Sequence, residues 1–492
     1  MAKNFEKIIL FTYKYSAKTI FLLVFNFEKT LLFAKNHVET TVLLLEVKMF
    51  RRKVYDELMK WKKEYAGRCA CLLEGARRVG KSTIAENFAK KEYDSYIKID
   101  FADITPELLD VFNDIAKPDL FFLRLQTETG ITLKKRKSVI IFDEVQLNPK
   151  ARQAIKYLVA DGRYDYIETG SLISIRKNVK DIVIPSEEHK IKVFPMDFEE
   201  FSWAIGKDLE PLREFFKAGI AAGNGLNRSL MRDFRIYMAV GGMPQAVDAY
   251  IKYNNFAKVD EVKRDIITLY IDDLKKLDPS GRLSAIYSAV PSQLSLKRKR
   301  FTVTAATGKQ KTSKDAERLF ELIDSKMVLP CWHVKNPGTS LSLTREIERF
   351  KLYLSDTGLF ITLMADTGGG STDEIYKKFL GDKLPADLGY LYENAAAQII
   401  ASFGKELYYH TWKKESGCHS YEVDFLLYSG SKIIPVEVKS SDTGRHESID
   451  KFAAKYSRYV GKQYLFSQKD VSNDGQLQFK PVYMLPFVME NL

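Results

Sequence analysis

The apolar and polar positions of this chain change period again and again, and each change marks an element. Cys69 to Leu73 is a short apolar run, the pattern of a buried strand. It enters a glycine-bounded turn, Gly75 to Ser82, and then an amphipathic stretch, Thr83 to Lys91, that reads as a helix. Ser95 to Phe101 alternates as a strand and Pro106 to Asp114 reads as a short helix. Ser138 to Phe142 is a further apolar strand, closed by the paired acids Asp143 and Glu144. Pro149 to Val159 predicts a helix, Tyr164 to Ser171 a strand, His189 to Met196 another strand, and Asp197 to Trp203 the start of a helix. Strands alternating with helices predict an α/β fold, a parallel sheet between helical layers.

Residues 209–277 read as helices broken at Ala239-Val240-Gly241-Gly242-Met243-Pro244, where two glycines and a proline stop helical periodicity. Further on, Leu283 to Val290 predicts a helix, Pro291 to Leu296 a turn and cap, and Thr312 to Met327 a longer amphipathic helix. Strands at Val328 to Val334 and Phe350 to Leu354 flank a polar loop. The simplest assembly of these pieces is a helix–turn–helix with a two-stranded wing. Asp366 to Thr372, rich in glycine, reads as a linker or long loop. The last piece holds a helix, Leu388 to Phe403, and strands at Leu407 to Trp412, Tyr421 to Tyr428 and Lys432 to Val438, with a hairpin turn at Ser429-Gly430-Ser431. A helix at Ser448 to Tyr459 and a closing strand at Gln463 to Phe466 follow.

Residues 1–48 fit this alternation poorly. They are apolar but interrupted by Lys14, Lys18, Glu28, Lys29 and Lys35, and Ile20 to Phe25 is too short an apolar piece to cross a bilayer. They read either as a surface- or partner-binding segment or as an extension upstream of a start at Met49, and the second reading is preferred. No integral membrane span is expected.

Composition adds two constraints. The chain of 492 residues carries a formal charge of +12, which suits a polyanionic partner such as double-stranded DNA, RNA or an acidic protein. Cys69, Cys71, Cys331 and Cys418 form no C-x-x-C or Cys/His cluster, which argues against zinc and for a reducing, cytoplasmic setting.

The chemistry lies in two places. Gly75-Ala76-Arg77-Arg78-Val79-Gly80-Lys81-Ser82 fits G-x-x-x-x-G-K-[ST], and Thr83 opens the helix behind it. Two glycines let the backbone approach phosphate oxygens, and its N–H groups form an anion nest at the positive end of the helix dipole. Lys81 can then reach the β- and γ-phosphates of ATP, and the Ser82 hydroxyl can ligate Mg²⁺. Asp143 would hold that metal and Glu144 would polarise the attacking water. Thr169 or Ser171 reads either as a γ-phosphate sensor or as a plain strand boundary. The second place is C-terminal. Glu393 on a helix, Asp424 on a strand, and Glu437 and Lys439 two apart on the next strand read either as a nuclease-type arrangement, with Asp424 and Glu437 as a candidate second Mg²⁺ site, or as a structural ion-pair trio, and the first reading is preferred. The run Lys297 to Arg300 reads equally as a solvated turn or a phosphate contact.

From Met49 onward, GARRVGKS, IIFDEVQ, ETGS, FPMDFEEF, GGMP, FKLYLSDTGLF and EVDFLL…IPVEVK occur in an order that resembles one prokaryotic family. These are AAA-like ATPases of the archaeal-ATPase/STAND type with a C-terminal domain of unknown function. The glutamate after Asp143 resembles the additional-strand, catalytic-glutamate division of P-loop proteins. The resemblance implies a winged helix followed by a restriction-endonuclease-like PD-(D/E)xK fold, with Glu393, Asp424, Glu437 and Lys439 on its motif. It implies that Pro244, in a G-x-P element, reports nucleotide state. Some relatives carry an arginine before the FPMDFEEF run. Here His189, Lys190 and Lys192 stand there, Arg176 is the substitute, and the activating residue is open.

The expected organisation is a P-loop domain at 49–204, a helical lid at 205–277, a winged helix at 278–365 and a nuclease-like domain at 366–492. The expected activity is a Mg²⁺-dependent ATPase switch. The alternatives are an ATP-gated nuclease and a non-catalytic ATP-binding module, working with DNA or a protein partner and compatible with a homo-oligomer. Lys81→Ala should abolish ATP binding in a fluorescent-nucleotide titration, and unchanged affinity would overturn the site.

Overall fold

The computed structural model describes residues 9–15, 18–23, 43–44, 49–170, 186–296, 298–368, 376–377, 380–381, 388–415, 419–440 and 446–492. Ser171 and Arg176 therefore lie outside the described residues, as does most of the expected linker at 366–372. Residues 366–368 end a helix, Thr357–Gly368. The chain divides into two units, 1–51 and 52–492. In the first, three short strands, β1 (Ile9–Tyr15), β2 (Lys18–Leu23) and β3 (Leu43–Leu44), pair antiparallel in the order β2-β1-β3. No helix among the described residues is long and apolar enough to cross a membrane.

The second unit opens with α1 (Val54–Glu64), whose Val54, Leu58 and Trp61 are buried. The Trp61 indole donates to the Cys69 carbonyl at 3.1 Å, which sets the helix beside the start of β4 (Ala70–Glu74). Beyond it come α2 (Lys81–Glu92), β5 (Ser95–Asp100), α3 (Pro106–Val111), α4 (Pro118–Thr129), β6 (Ser138–Asp143), α5 (Pro149–Asp161), β7 (Asp165–Gly170) and β8 (Glu188–Lys192). The five strands form one parallel sheet in the order β5-β6-β7-β4-β8. Every residue of β4, β6 and β7 is buried, as a parallel sheet covered on both faces requires. Phe101, Phe112, Phe121 and Phe142 meet edge-on or tilted over one face, at ring-centroid distances of 5.2–5.9 Å.

That sheet carries ions on a buried line. The Arg152 guanidinium of α5 stands 3.0 Å from Glu188 and 3.6 Å from Glu168. Neither Glu168 oxygen has a hydrogen-bond partner, and burial pushes its carboxyl well above its ordinary value, with Glu188 adding and Arg152 opposing.

A helical block follows: Phe198–Ala204, Glu210–Ala218, Asn224–Val240, Pro244–Tyr253 and Phe256–Leu277. Two glycines tie it to its neighbours. Gly242 O accepts from Met196 N at 2.7 Å, and a Cβ on Gly242 would stand 2.0 Å from Met196 O. The Gly242 N–H donates to the buried Asp356 carboxylate at 2.6 Å, and a Cβ on Gly358 would meet Val240 O at 2.4 Å. The FPMDFEEF, GGMP and SDTG segments thus share one knot.

The remaining strands differ from the sequence expectation in one important way. β9 (Val328–Val334) and β10 (Arg345–Leu354), expected as a free wing, join β11 (Leu407–Lys413), β12 (Ser420–Ser429), β13 (Lys432–Val438), β14 (Gln463–Ser467), β15 (Ser472–Asp474) and β16 (Leu477–Pro481) in one mixed sheet. Its order is β10-β9-β11-β12-β13-β14-β16-β15, and β9 pairs parallel to β11. The sheet therefore runs across residue 366. Gln463 to Phe466 is not the closing strand, since β15 and β16 lie beyond it. Pro291 to Leu296, expected as a turn, is a helix, Val290–Ser295. Its proline sits in the first turn, where the missing N–H costs nothing.

The Glu168 proton gives a test. A raised folded value means stability is full below the ordinary value near 4.5 and is lost as pH rises toward the raised one. Glu168→Gln mimics the protonated form. Its melting temperature should match the unaltered protein near about pH 5 and exceed it by a few degrees near about pH 8. A variant that melts lower at both would show that Arg152 holds an ionised Glu168.

Candidate functional site

The turn after β4 is shaped by sterics. A Cβ on Gly75 would lie 2.2 Å from the Val193 carbonyl oxygen, so only glycine fits between β4 and the segment after β8. Gly80 sits at φ +95°, and a Cβ there would come 3.5 Å from the Pro244 ring and from the Arg52 guanidinium. Arg52 is buried, and donates to Val79 O at 3.0 Å, Phe194 O at 2.7 Å and Glu200 at 3.1 Å. On the other side the Tyr270 hydroxyl donates to Arg77 O at 2.7 Å, and Arg77 pairs with Asp273 at 2.9 Å. Ala76 and Val79 are buried, Arg78 is exposed at φ 67°, and Thr83 is exposed at the head of α2.

The Lys81 ammonium is buried and folds back on its own turn, donating to Gly75 O and Ala76 O at 2.9 Å each. Burial lowers its pKa to about 8, with Glu144 and Asp143 pulling it back up. Ser82 donates to Asp143 Oδ1 at 2.7 Å, and Thr169 on β7 donates to the same oxygen. Lys98 on β5 stands 3.4 Å from Asp143 Oδ2. Glu144 adopts a left-handed backbone at φ 53°. Its N–H donates to the Thr169 hydroxyl at 3.3 Å and its carboxylate accepts from Gln146. The structure therefore gathers Lys81, Ser82, Asp143, Glu144 and Thr169 at the C-terminal edge of the parallel sheet, where such sheets bind ligands. Lys98 was not singled out by sequence. Its signal is the register of β5 against β6, with Lys98 opposite Ile141.

Two hard oxygens from separate elements, Ser82 Oγ and Asp143 Oδ1, face each other across 2.7 Å, a donor set that suits Mg²⁺. A phosphate chain could take the loop N–H groups and draw Lys81 away from its own carbonyls.

The C-terminal residues also converge. Asp424 on β12 accepts from Val438 N at 2.9 Å, and Lys439 pairs with Glu437 Oε1. Glu437 Oε2 is buried without a hydrogen-bond partner. Burial, with Glu437 and Glu393 beside it, pushes Asp424 well above the usual carboxylate range, and burial raises Glu437 too. Sequence reasoning missed Lys351, Tyr353 and Glu422. Lys351 of β10 is buried, 2.5 Å from Glu422 and 3.5 Å from Glu393, and Tyr353 OH lies 3.3 Å from Glu393. Their alternation in KLYL puts Lys351 and Tyr353 on one face, but only the joined sheet brings that face to the carboxylates. Among the described residues no group of three or more His, Cys, Asp and Glu side chains is placed to hold a metal ion. Two lysine ammoniums lie among these acids instead.

Comparison with known proteins follows the same division. Residues 68–202 match the family described as AAA domain. Residues 231–369 and 388–484 match two different domains of unknown function, DUF8612 and DUF4143. No curated protein matches the chain. Among solved structures, the Saccharomyces cerevisiae Hsp104–ADP complex aligns at 15% identity and a TM-score of 0.26, over 72% of this chain and 43% of that one. The chain thus spans less than half the length of that relative. Cdc6p from Pyrobaculum aerophilum aligns at 11% identity and a TM-score of 0.22, over 68% of this chain and 98% of that one. The AAA match and the parallel sheet together support a P-loop, AAA-like ATPase.

Gly75→Ala gives a direct check on the turn. Its methyl group would press on backbone at 2.2 Å, so the loop must shift. The expected result is a loss of ATP affinity of about a hundredfold or more, with a lower melting temperature, in a fluorescent-nucleotide titration and a thermal melt. Unimpaired binding would show that the turn does not need its close approach to Val193.

Proposed function

We propose that this protein binds ATP with Mg²⁺ and hydrolyses it, and that the nucleotide acts as a switch for the domains that follow. The observation that carries this reading is the convergence of Ser82 and Thr169 on one Asp143 oxygen, beside Lys81. Lys81 would hold the β- and γ-phosphates, Ser82 and Asp143 would hold the metal, and Glu144 would orient water. Thr169, already bonded to Asp143 and to the Glu144 N–H, would sense the γ-phosphate. Mg²⁺ would neutralise charge on the transferring phosphoryl group. The lid, residues 205–277, touches the turn through Pro244, Tyr270 and Asp273, which supports Pro244 as a reporter of nucleotide state. We read the working protein as cytoplasmic and able to form a homo-oligomer.

The C-terminal module would act on a polyanion or a protein partner. Arg298, Lys299 and Arg300 are exposed, and Lys299 is fixed beside β11 and β12 by Tyr409 OH at 2.6 Å and Ser420 O at 2.9 Å. By contrast, the exposed face of the helix Asp315–Asp324 shows Ala316, Glu317 and Phe320, which suits DNA phosphates poorly. The basic turn is the better candidate for a DNA contact. A second reading, an ATP-gated nuclease, is favoured by the bare buried oxygen of Glu437 next to Asp424. Asp424 and Glu437 would then hold a second Mg²⁺, and Lys439 would steady the phosphate, with Glu393 closing the site.

Glu144→Gln should bind ATP with unchanged affinity but release phosphate at least a hundredfold more slowly, and normal turnover would remove Glu144 from its role. Phosphate release and a cleavage gel, each with and without double-stranded DNA, separate the two readings. Nicking that is lost in Asp424→Ala yet kept in Glu144→Gln would favour the nuclease.

A further inference from the structure

Lys98 has no part in the phosphate-binding motif, yet its ammonium sits against the acid expected to hold the metal. Lys98 Nζ is 3.4 Å from Asp143 Oδ2 and 3.3 Å from Glu86 Oε2 on α2. The other Asp143 oxygen takes the hydroxyls of Ser82 and Thr169. Asp143 is only 3% exposed, and its carboxylate pairs directly with Lys98 while Lys81 acts on it electrostatically. Glu86 is less buried. It also pairs with Lys90 at 2.5 Å and accepts from Tyr96 OH at 3.3 Å.

We propose that Lys98 keeps the metal's place at Asp143 and so sets how much Mg²⁺ this site demands. The inference rests on the ATP reading above and adds a specificity-determining residue to it. A buried carboxylate left without a cation costs several kcal/mol, so the nucleotide-free protein needs a stand-in. Lys98 supplies it from the neighbouring strand. A divalent ion on Asp143 would repel an ammonium a few ångströms away, where screening by water is weak. Lys98 has somewhere to go, because Glu86 already holds its other side. Asp143 would thus exchange one cation for another: it would hold the divalent ion while Lys98 kept its contact with Glu86. Lys81 behaves in parallel. It rests on Gly75 O and Ala76 O until a phosphate draws it off. Lys98 thus stands in for the metal at Asp143, and two backbone carbonyls stand in for the phosphate at Lys81.

The test is the Mg²⁺ concentration that half-maximally tightens binding of a fluorescent ATP analogue to the full chain. The measurement reads binding at this site and needs no turnover. Lys98→Met should lower that concentration about tenfold, while Lys98→Arg, which keeps the charge, should stay within about twofold. Glu86→Gln removes the fallback and should raise it. Affinity for the analogue in EDTA, with no metal present, should fall in Lys98→Met, because Asp143 then faces the phosphates with its paired cation gone, and tighter metal-free binding would overturn the inference. An unchanged or higher Mg²⁺ requirement in Lys98→Met overturns the inference while leaving the ATP reading intact. Failure of the unaltered protein to bind the analogue at all would instead remove that reading, and this inference with it. Thermal melts of each variant separate a binding effect from lost folding.

Discussion

The carboxylate of Asp143 is the constraint around which the P-loop domain closes. It is buried at the end of a central strand, and a buried charge must be shared or paid for. Three elements share it: α2 through Ser82, β7 through Thr169 and β5 through Lys98. Only a parallel sheet with β6 between β5 and β7 brings those three to one point. Removing any of the three contacts leaves an acid under-satisfied at the place where phosphate chemistry is expected. The acid is thus satisfied by side chains of its own domain.

How much of this was legible in the chain depends on distance along it. The Gly75–Ser82 turn and the Asp143–Glu144 pair could be read because each is local: spacing alone states what the backbone must do. Strand β13 and the helix behind Glu393 were equally plain from their apolar periods. Lys98 and Lys351 were not: Lys98 lies in no motif, and Lys351, inside the FKLYLSDTGLF run, has no spacing there that states a partner. Each matters only once a neighbouring strand sets its register. The helix Pro118–Thr129 has no clear sequence signature, because its apolar residues, Leu120 to Leu125, follow no clean period around Arg124. The two strands expected as a wing join a larger sheet that their sequence does not announce. A strand pair reads the same whether its free edge faces solvent or meets another strand.

The knot at Gly242 explains why three separate segments carry small or acidic residues at fixed places. Gly242 must pass within bonding distance of Met196, and the same peptide must give its N–H to Asp356. Lys263, fully buried on the Phe256–Leu277 helix, closes the arrangement on Ala239 O and on Gly358 O. That helix is also the one whose Tyr270 and Asp273 grip Arg77. The one helix therefore contacts both the Gly75–Ser82 turn and the Asp356 knot, which lies just beyond the strand β10. Along that strand lies Lys351, among the C-terminal carboxylates.

The eight-stranded sheet has a further consequence, for the order in which the chain is made. The P-loop sheet has all five of its strands once residue 192 has left the ribosome. The hairpin of β9 and β10 emerges much later and must then wait, its inner edge bare, until β11 is synthesised more than fifty residues on. An open strand edge in a half-made protein invites pairing with the wrong neighbour. The chain is most open to such mispairing in that interval, when all five strands of its first sheet exist and its last sheet is unfinished.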